Sequence, residues 1–211
     1  MNPSTQKRTI SGPTGDIEAM CDSPAAGAGG RGIAIIAHPH PLFGGNMDNK
    51  VVQTLARAFV QCGWTAWRFN FRGVGRSAGT YDEGRGELED LLALIAQCAP
   101  AGPIALAGFS FGSFVASRAA AALAGDRPIE TAVLVGTAAK RFDVGLLPAH
   151  LLERTLVIHG ESDDTVPLVD VLDWARPQNL PVTVVPGCGH FFHGQLPLLR
   201  RLVVRHLNAS R

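Results

Sequence analysis

Ser110 stands in a pattern that can turn a serine into a nucleophile. It lies within Gly108-Phe109-Ser110-Phe111-Gly112, between the apolar segment 103–109 and the stretch 112–124, which has the composition of a helix. A serine at such a strand-to-helix turn sits on a tight bend, and the flanking glycines let neighbouring backbone approach closely. Amides at the start of the following helix favour the negative charge that develops during attack on an acyl carbon. The pattern predicts a nucleophilic serine.

A serine hydroxyl is a weak nucleophile that needs a base, and the base needs an acid to orient it. The candidates follow two apolar segments that predict strands: Glu161, Asp163 and Asp164 after 155–160, and His190 and His193 after 181–187. The groups therefore occur in the order serine, acid, histidine, each on a loop after a strand. Spacing alone leaves the choice within each loop open.

The elements that would position these residues alternate along the chain. Short apolar runs predict strands at 33–37, 64–71, 103–109, 131–136, 155–160 and 181–187. Helices are predicted at 48–62, 86–98, 112–124, 167–175 and 195–208, and an N-terminal hairpin at 7–11 and 16–21. Strands that are apolar on both faces and separated by helices belong in a parallel sheet covered on both sides. The predicted class is α/β with a mostly parallel central sheet, and reactive groups are expected on loops after the carboxyl ends of its strands.

Four stretches resemble the α/β-hydrolase superfamily, and the likeness covers nearly all of the chain. They are HPHPLFGGNMDN (38–49), NFRGVGRS (70–77), GFSFG (108–112), and the pair GESDDTVP (160–167) with GCGHFF (187–192). The first two together are similar to a group of small bacterial serine hydrolases of this superfamily. The resemblance implies that Ser110 is the nucleophile, Asp163 the acid and His190 the base, with Asp164 and His193 as second choices.

The same resemblance implies an oxyanion hole made of two backbone N–H groups. One is the amide of Phe111, and the other comes from the loop after the strand 33–37. Prolines in that loop have no N–H to offer, which leaves His40, Leu42 and Phe43, and of these Leu42 is the predicted donor. Acyl pockets are mainly apolar, so aromatic residues near the site are expected to contact the substrate: Phe43, Phe109 and Phe191.

Superfamily members often carry a cap domain after the strand that corresponds to 131–136. Here only about 18 residues (137–154) precede the next strand, too few for a helical cap. An open, shallow site suits small or extended esters, so the expected function is a serine hydrolase that cleaves small carboxylic esters through an acyl-enzyme, without a cofactor. The alternatives are a thioesterase or peptidase with the same three residues, and a non-catalytic ligand-binding module.

Two other motifs allow different chemistry. His38-Pro39-His40 could contribute to a zinc site, but no H-E-x-x-H pattern or carboxylate cluster completes one, so no metal is predicted. The segment 73–78 matches the G-x-G-x-x-A pattern of dinucleotide sites, yet no helix is predicted to open there. A turn beneath the site is the preferred interpretation, with Arg72 and Arg76 structural or partly exposed.

The composition and charge of the chain limit the classes of partner that the protein is expected to bind. The 211 residues, 46% of them hydrophobic, suit a single domain over 1–211. A net charge of +1, with 18% charged residues, gives no strongly basic face, so neither nucleic acid nor an anionic membrane is an expected partner. The expected partner is a small-molecule acyl substrate. Four scattered cysteines, no signal peptide and no apolar span predict a cytoplasmic protein with reduced thiols.

Overall fold

A computed structural model of the chain describes residues 5–28 and 30–209. The strands are β1 (Thr5–Gly12), β2 (Gly15–Asp22), β3 (Gly32–Ala37), β4 (Trp64–Phe69), β5 (Ile104–Phe109), β6 (Thr131–Val135), β7 (Thr155–Gly160) and β8 (Val182–Val185). The α-helices are α1 (Lys50–Gln61), α2 (Arg85–Cys98), α3 (Phe111–Leu123), α4 (Ala149–Leu152), α5 (Leu168–Ala175) and α6 (Leu196–Ala209). Within these residues, none of the helices has the length and apolar character needed to cross a membrane.

The described strands form one sheet in the order β1-β2-β4-β3-β5-β6-β7-β8. Strands β3 to β8 run parallel to one another, whereas β1 and β2 form an antiparallel hairpin that joins the sheet through β2 and β4. Because carboxyl ends of parallel strands lie at the same end of a sheet, the loops after β3 to β8 share one face of the molecule. The predicted hairpin and mostly parallel sheet are confirmed.

Helices cover both faces of the sheet. Side chains of α1 and α6 pack on one face, together with Ala105, Ala107 and Phe109 of β5. Side chains of α2, α3 and α5 pack on the other, together with Ile104 and Leu106 of the same strand. Successive side chains of a strand point to opposite faces, so a strand covered on both sides must be apolar throughout. The continuous apolar runs in the sequence are explained by this packing, and the predicted α/β class is confirmed.

Some short features differ from the sequence prediction. The helical turns Pro41–Phe43, Ala149–Leu152 and Arg176–Gln178 were not predicted, because three or four residues cannot display a helical period. Strand β8 is shorter than the predicted segment 181–187, and most of it is half-buried, since it lies at the edge of the sheet. Between β6 and β7 the chain inserts only α4, so no cap domain is inserted there, as predicted.

A buried ion pair joins the loop after β4 to α2. Arg72 donates from Nη2 to Asp90 Oδ1 at 2.8 Å and from Nε to Asp90 Oδ2 at 3.0 Å. Its backbone N–H also donates to Asp90 Oδ2, at 3.2 Å. The side chains are 7% and 1% exposed, so Asp90 depends on Arg72 for compensation, while Arg72 has only the exposed Glu89 Oε2, at 3.3 Å, as a further partner. The structural role predicted for Arg72 agrees with this position.

Asp90→Ala should destabilise the fold by about 3 kcal/mol, because it removes the buried counter-charge of Arg72 and leaves only the exposed Glu89 carboxylate at 3.3 Å. Urea unfolding at neutral pH measures this free energy. The matched control is Asp143→Ala, which breaks the exposed pair with Arg118 and should cost about 1 kcal/mol or less. Equal losses in the two variants would contradict a special role for the buried pair.

Candidate active site

Ser110 occupies a strained turn between β5 and α3. Its backbone has φ 55° and ψ −116°, a conformation that is rare for a residue with a side chain. The turn is held because the Ser110 N–H donates to Val135 O of β6 at 2.8 Å. A Cβ on Gly108 would lie 2.3 Å from the Gly112 backbone, and one on Gly112 would lie 2.3 Å from Ala37 O. Both flanking glycines are therefore required by close backbone approach.

Asp163 and His190 form a buried hydrogen-bonded pair at the carboxyl ends of β7 and β8. The distance between His190 Nδ1 and Asp163 Oδ2 is 2.6 Å. The other carboxylate oxygen, Oδ1, accepts the backbone N–H groups of Thr165 at 2.9 Å and Val166 at 2.7 Å. The pair places the imidazole proton on Nδ1, which leaves Nε2 free to accept a proton.

Burial on its own would raise the pKa of Asp163, but the hydrogen bonds from His190 and from the Val166 amide hold that pKa below its ordinary value. The side chain therefore remains a carboxylate at neutral pH. A fixed negative charge beside Nδ1 stabilises the imidazolium that forms when Nε2 takes up a proton. This electrostatic arrangement is the one that a general base needs.

The His190 imidazole packs against Phe109 and Gly136. Its ring centroid lies 4.8 Å from that of Phe109, the residue before the serine. A Cβ on Gly136, which follows Val135 of β6, would lie 3.2 Å from His190 Cε1. No hydrogen bond joins the Ser110 hydroxyl to His190 in this structure, and such bonds are often long in a site without substrate.

His159 lies next to Asp163 and was not predicted as part of this site. Its Nε2 is 2.9 Å from Val166 O and 3.5 Å from Asp163 Oδ2. Burial lowers the pKa of His159, so the ring is neutral and its Nε2–H supports the same loop that donates to Asp163. The sequence signal that could have indicated His159 is its position at the carboxyl end of the predicted strand 155–160, just before the loop that carries Asp163.

The second-choice residues lie outside this arrangement. Asp164 is exposed and accepts only from the Thr165 hydroxyl, at 3.3 Å, among the hydrogen bonds of the described residues. Glu161 is exposed and accepts the Gly187 N–H at 2.8 Å. His193 is exposed as well. The structure brings together Asp163 and His190 and leaves the alternatives at the surface.

The prediction that Leu42 supplies an oxyanion donor is corrected by the structure. Residues 41–43 form a 3-10 turn in which the Leu42 N–H donates to His40 Nδ1 at 3.2 Å and the Phe43 N–H donates to His40 O at 3.1 Å. Both amides are thereby used within the turn. The His40 N–H has no acceptor among residues 5–28 and 30–209. Phe111 opens α3, where an N–H has no acceptor inside the helix.

His38 is a structural residue of the loop after β3. Its Nε2 accepts the Phe71 N–H at 3.0 Å, so the proton is on Nδ1, which donates to Pro39 O at 2.6 Å. Burial lowers the pKa of His38 to about 4. Across the part of the chain that the structure describes, no three His, Cys, Asp or Glu residues are grouped to hold a metal ion.

The glycine-rich segment 73–78 is a turn that binds a carboxylate of this chain. Glu18 Oε2 accepts the Arg76 N–H at 3.0 Å and an Asn70 Nδ2–H at 2.8 Å. A Cβ on Gly75 would lie 2.5 Å from the same oxygen. The place that a phosphate would need is thus taken by Glu18, and α2 begins only at Arg85.

A cavity of about 280 Å³ opens beside Ser110. Its polar lining consists of His40, Ser110, Arg141 and Thr165. Its apolar lining consists of Phe43, Phe111, Ala138, Phe142 and Val166. Residues 141 and 142 were missed from the sequence, because an irregular loop carries no periodic signal.

Of the three aromatic residues predicted to contact substrate, one lines this cavity. Phe43 does so, at the rim, and is 81% exposed. Phe109 is fully buried among side chains of the α1 and α6 face, so its predicted contact with substrate is corrected to support of the His190 ring. Phe191 is 46% exposed and lies outside the lining.

Comparison with known proteins identifies the fold family. A family model described as the alpha/beta hydrolase fold matches residues 40–153, more than half of the chain. The chain belongs to the α/β-hydrolase family. This α/β hydrolase also aligns with an uncharacterized protein of Rickettsia prowazekii (strain Madrid E), at 33% identity over 204 residues that cover 87% of the chain and 80% of the relative.

Two solved structures are similar to this α/β hydrolase over nearly its whole length. A serine hydrolase without a lid from Xanthomonas campestris has 36% identity and a TM-score of 0.88, covering 99% of this chain and 96% of that one. An alpha-beta serine hydrolase homologue from Coxiella burnetii has 38% identity and a TM-score of 0.84, covering 98% of both chains. In this chain the insertion between β6 and β7 is short, so the cavity beside Ser110 opens without a cap.

Gly136→Ala should lower kcat/KM of this α/β hydrolase by about 10–100-fold. The new Cβ would lie 3.2 Å from His190 Cε1 and 3.2 Å from Phe109 Cε2, and small displacements of a catalytic group have effects of this size. The matched control is Gly102→Ala, because Gly102 also has a positive φ (81°) but a Cβ added there would meet no atom within 4 Å. Both variants carry the backbone strain, so similar activities would contradict the contact with the imidazole.

The free energy of unfolding should fall as pH decreases from about 6.5 to 4. In the folded state the pKa of His38 is about 4, below the unfolded value near 6.5, so the unfolded chain binds more protons in this window. The stabilisation is complete above pH 6.5, and this one group accounts for a loss of about 3 kcal/mol by pH 4. Urea unfolding at several pH values measures the loss, and an NMR titration of His38 near pH 6.5 would contradict the assignment.

Proposed function

We propose that this α/β hydrolase cleaves small carboxylic esters through an acyl-enzyme formed on Ser110. The observation that carries the proposal is the buried Asp163–His190 pair, with its 2.6 Å hydrogen bond, packed beside a strained serine that lines a cavity. Backbone strain of this kind persists at functional sites because the surrounding structure enforces it. A non-catalytic binding module would not need that strain or an oriented imidazole.

The reaction would proceed in two transfers. The Ser110 hydroxyl attacks the ester carbonyl carbon while His190 Nε2 takes its proton, and Asp163 stabilises the resulting imidazolium. The tetrahedral intermediate then collapses, the C–O bond to the alcohol breaks, and the alcohol leaves with the proton from His190. A water molecule attacks the acyl-enzyme by the same route, releasing the carboxylic acid and restoring Ser110. Every proton is carried by this chain, so the steps need no cofactor.

The oxyanion of each intermediate would be bound by the N–H groups of Phe111 and His40. Both lie beside the cavity, and neither has an acceptor among the described residues. Preorganised donors of this kind are worth about 10²–10³-fold in kcat each. The hydrogen bond from His38 Nδ1 to Pro39 O, at 2.6 Å, supports the assignment, because that carbonyl belongs to the same peptide unit as the His40 N–H and so orients it.

Cavity size supports a small substrate. A volume of about 280 Å³ lies at the lower end of the range for ligand sites. The apolar wall, with Phe43, Phe111 and Phe142, is suited to a short acyl chain or an aromatic ring. Thioesters and amides could react at the same serine, and steady-state rates with matched ester, thioester and anilide substrates separate these activities.

A fluorophosphonate probe tests the proposed nucleophile without a choice of substrate. Wild-type protein should form one adduct, on Ser110, located by mass spectrometry of the modified peptide. Ser110→Ala and His190→Ala should each lower kcat/KM for 4-nitrophenyl acetate by about 10⁴-fold or more. Ser110→Ala should unfold like wild type, whereas His190→Ala should be less stable, because one oxygen of the buried Asp163 carboxylate loses its donor. His193→Ala is the matched control and should retain wild-type activity, because that imidazole is at the surface. An adduct elsewhere, or undiminished turnover by pure Ser110→Ala protein, would contradict the mechanism.

A further inference from the structure

Arg141 is the one permanently charged residue among those that line the cavity beside Ser110. It is exposed, and it forms no ion pair with another residue in the described ranges 5–28 and 30–209. The neighbouring cations differ in this respect. Lys140 contacts Asp170 at 3.0 Å and Asp173 at 2.8 Å, and Arg118 contacts Asp143 at 3.2 Å. The guanidinium of Arg141 is therefore available to a ligand.

The segment that carries Arg141 is anchored mainly by the residue that follows it. Before it, Lys140 forms exposed ion pairs with α5, and pairs of this kind contribute little to stability. After it, the Phe142 ring stacks on Phe114 at 4.9 Å between centroids and contacts Phe111 at 5.1 Å. The Phe142 N–H donates to Ala138 O at 3.2 Å, which closes the turn. Anchoring of the backbone limits the positions that the guanidinium can reach to the cavity and its surroundings.

Arg141 supplies the one formal charge among the side chains that line the cavity beside Ser110. No carboxylate is found among the residues that line that cavity. Glu83 and Asp143 line a second cavity, of about 650 Å³, which shares Arg141 and Phe142 with the first. The charge of Arg141 also acts on the loop after β3. Burial is the main cause of the lowered pKa of His40, and the charge of Arg141 is the second cause. Low-dielectric aromatic walls focus the field of such a charge on a ligand.

We propose that Arg141 binds a negatively charged group of the substrate while Ser110 attacks an ester carbonyl of the same molecule. The planar guanidinium matches a carboxylate in a bidentate arrangement, so the substrate class is an ester that also carries a free carboxylate, such as a half-ester of a short dicarboxylic acid. This inference rests on the proposed esterase function and narrows its substrate. Phe43, Phe111 and Phe142 would contact the apolar part between the two groups.

Matched ester pairs test the inference at low ionic strength. The acyl-side pair is the 4-nitrophenyl half-ester of glutaric acid and 4-nitrophenyl valerate, which differ in the terminal carboxylate. The alcohol-side pair is 4-acetoxybenzoate and 4-acetoxybenzamide. The readout is the ratio of kcat/KM for the anionic ester to that for the neutral one, in wild type, Arg141→Gln, Arg141→Lys and Lys140→Gln.

In at least one pair, wild type should prefer the anionic ester by about tenfold or more, since hydrogen bonds to charged groups have effects of this size. Arg141→Gln should lower that ratio by about tenfold or more, and Arg141→Lys should retain part of it. Lys140→Gln removes the same charge from the adjacent position and should keep the wild-type ratio. The pair that responds shows whether the carboxylate belongs to the acyl or the alcohol part.

A ratio near one in both wild-type pairs, or the same ratio in Arg141→Gln, would overturn the inference. Equal losses in Arg141→Gln and Lys140→Gln would overturn it as well, because they indicate a long-range field and no binding site. Fluorophosphonate labelling separates this failure from failure of the proposed function. Labelled Ser110 with turnover of these esters but without an anionic preference rejects only the role of Arg141, whereas unlabelled Ser110, or no turnover of any ester, rejects the esterase function itself.

Discussion

A carboxylate that is removed from water needs hydrogen-bond donors, and the buried side chain of Asp163 finds them in two loops. Backbone amides of residues 165 and 166 bind one oxygen, and His190 binds the other. The loops after β7 and β8 must therefore stay together for the charge to remain buried. The same contact that stabilises the carboxylate orients the imidazole, so folding also prepares the proposed base.

The sheet and the main site residues could be predicted because their signals are local. Strands covered on both faces are continuously apolar. The glycines around Ser110 are needed because a Cβ on either one would lie 2.3 Å from neighbouring backbone. Phe109 was misplaced because closeness in sequence to Ser110 was taken as closeness to substrate. Side chains alternate along a strand, and Phe109 shares its face with Ala105 and Ala107, which pack towards α1 and α6.

The available N–H groups of the loop after β3 and the cavity wall could not be predicted, because they depend on hydrogen bonds that sequence spacing does not specify. Which N–H remains available after β3 depends on the 3-10 turn at Pro41–Phe43 and on its His40 acceptors. Arg141 and Phe142 lie in an irregular segment. From the sequence, only its length could be used, and that length indicated the absence of a cap domain. The exposed large apolar side chains share a location, on loops or helix starts after the carboxyl ends of strands: Leu42, Phe43, Leu146, Val169 and Phe191.

The two edges of the sheet also bear on how the protein behaves at high concentration. An edge strand offers unpaired backbone groups to any other strand, which is a route to aggregation. On one side the outermost strand, β1, carries the exposed cations Lys7 and Arg8, which repel a second copy of the same edge. On the other side β8 has only four residues, too few for a long ladder. Both ends of the sheet therefore resist growth into fibres, and the face beside Ser110 needs no cover for that purpose.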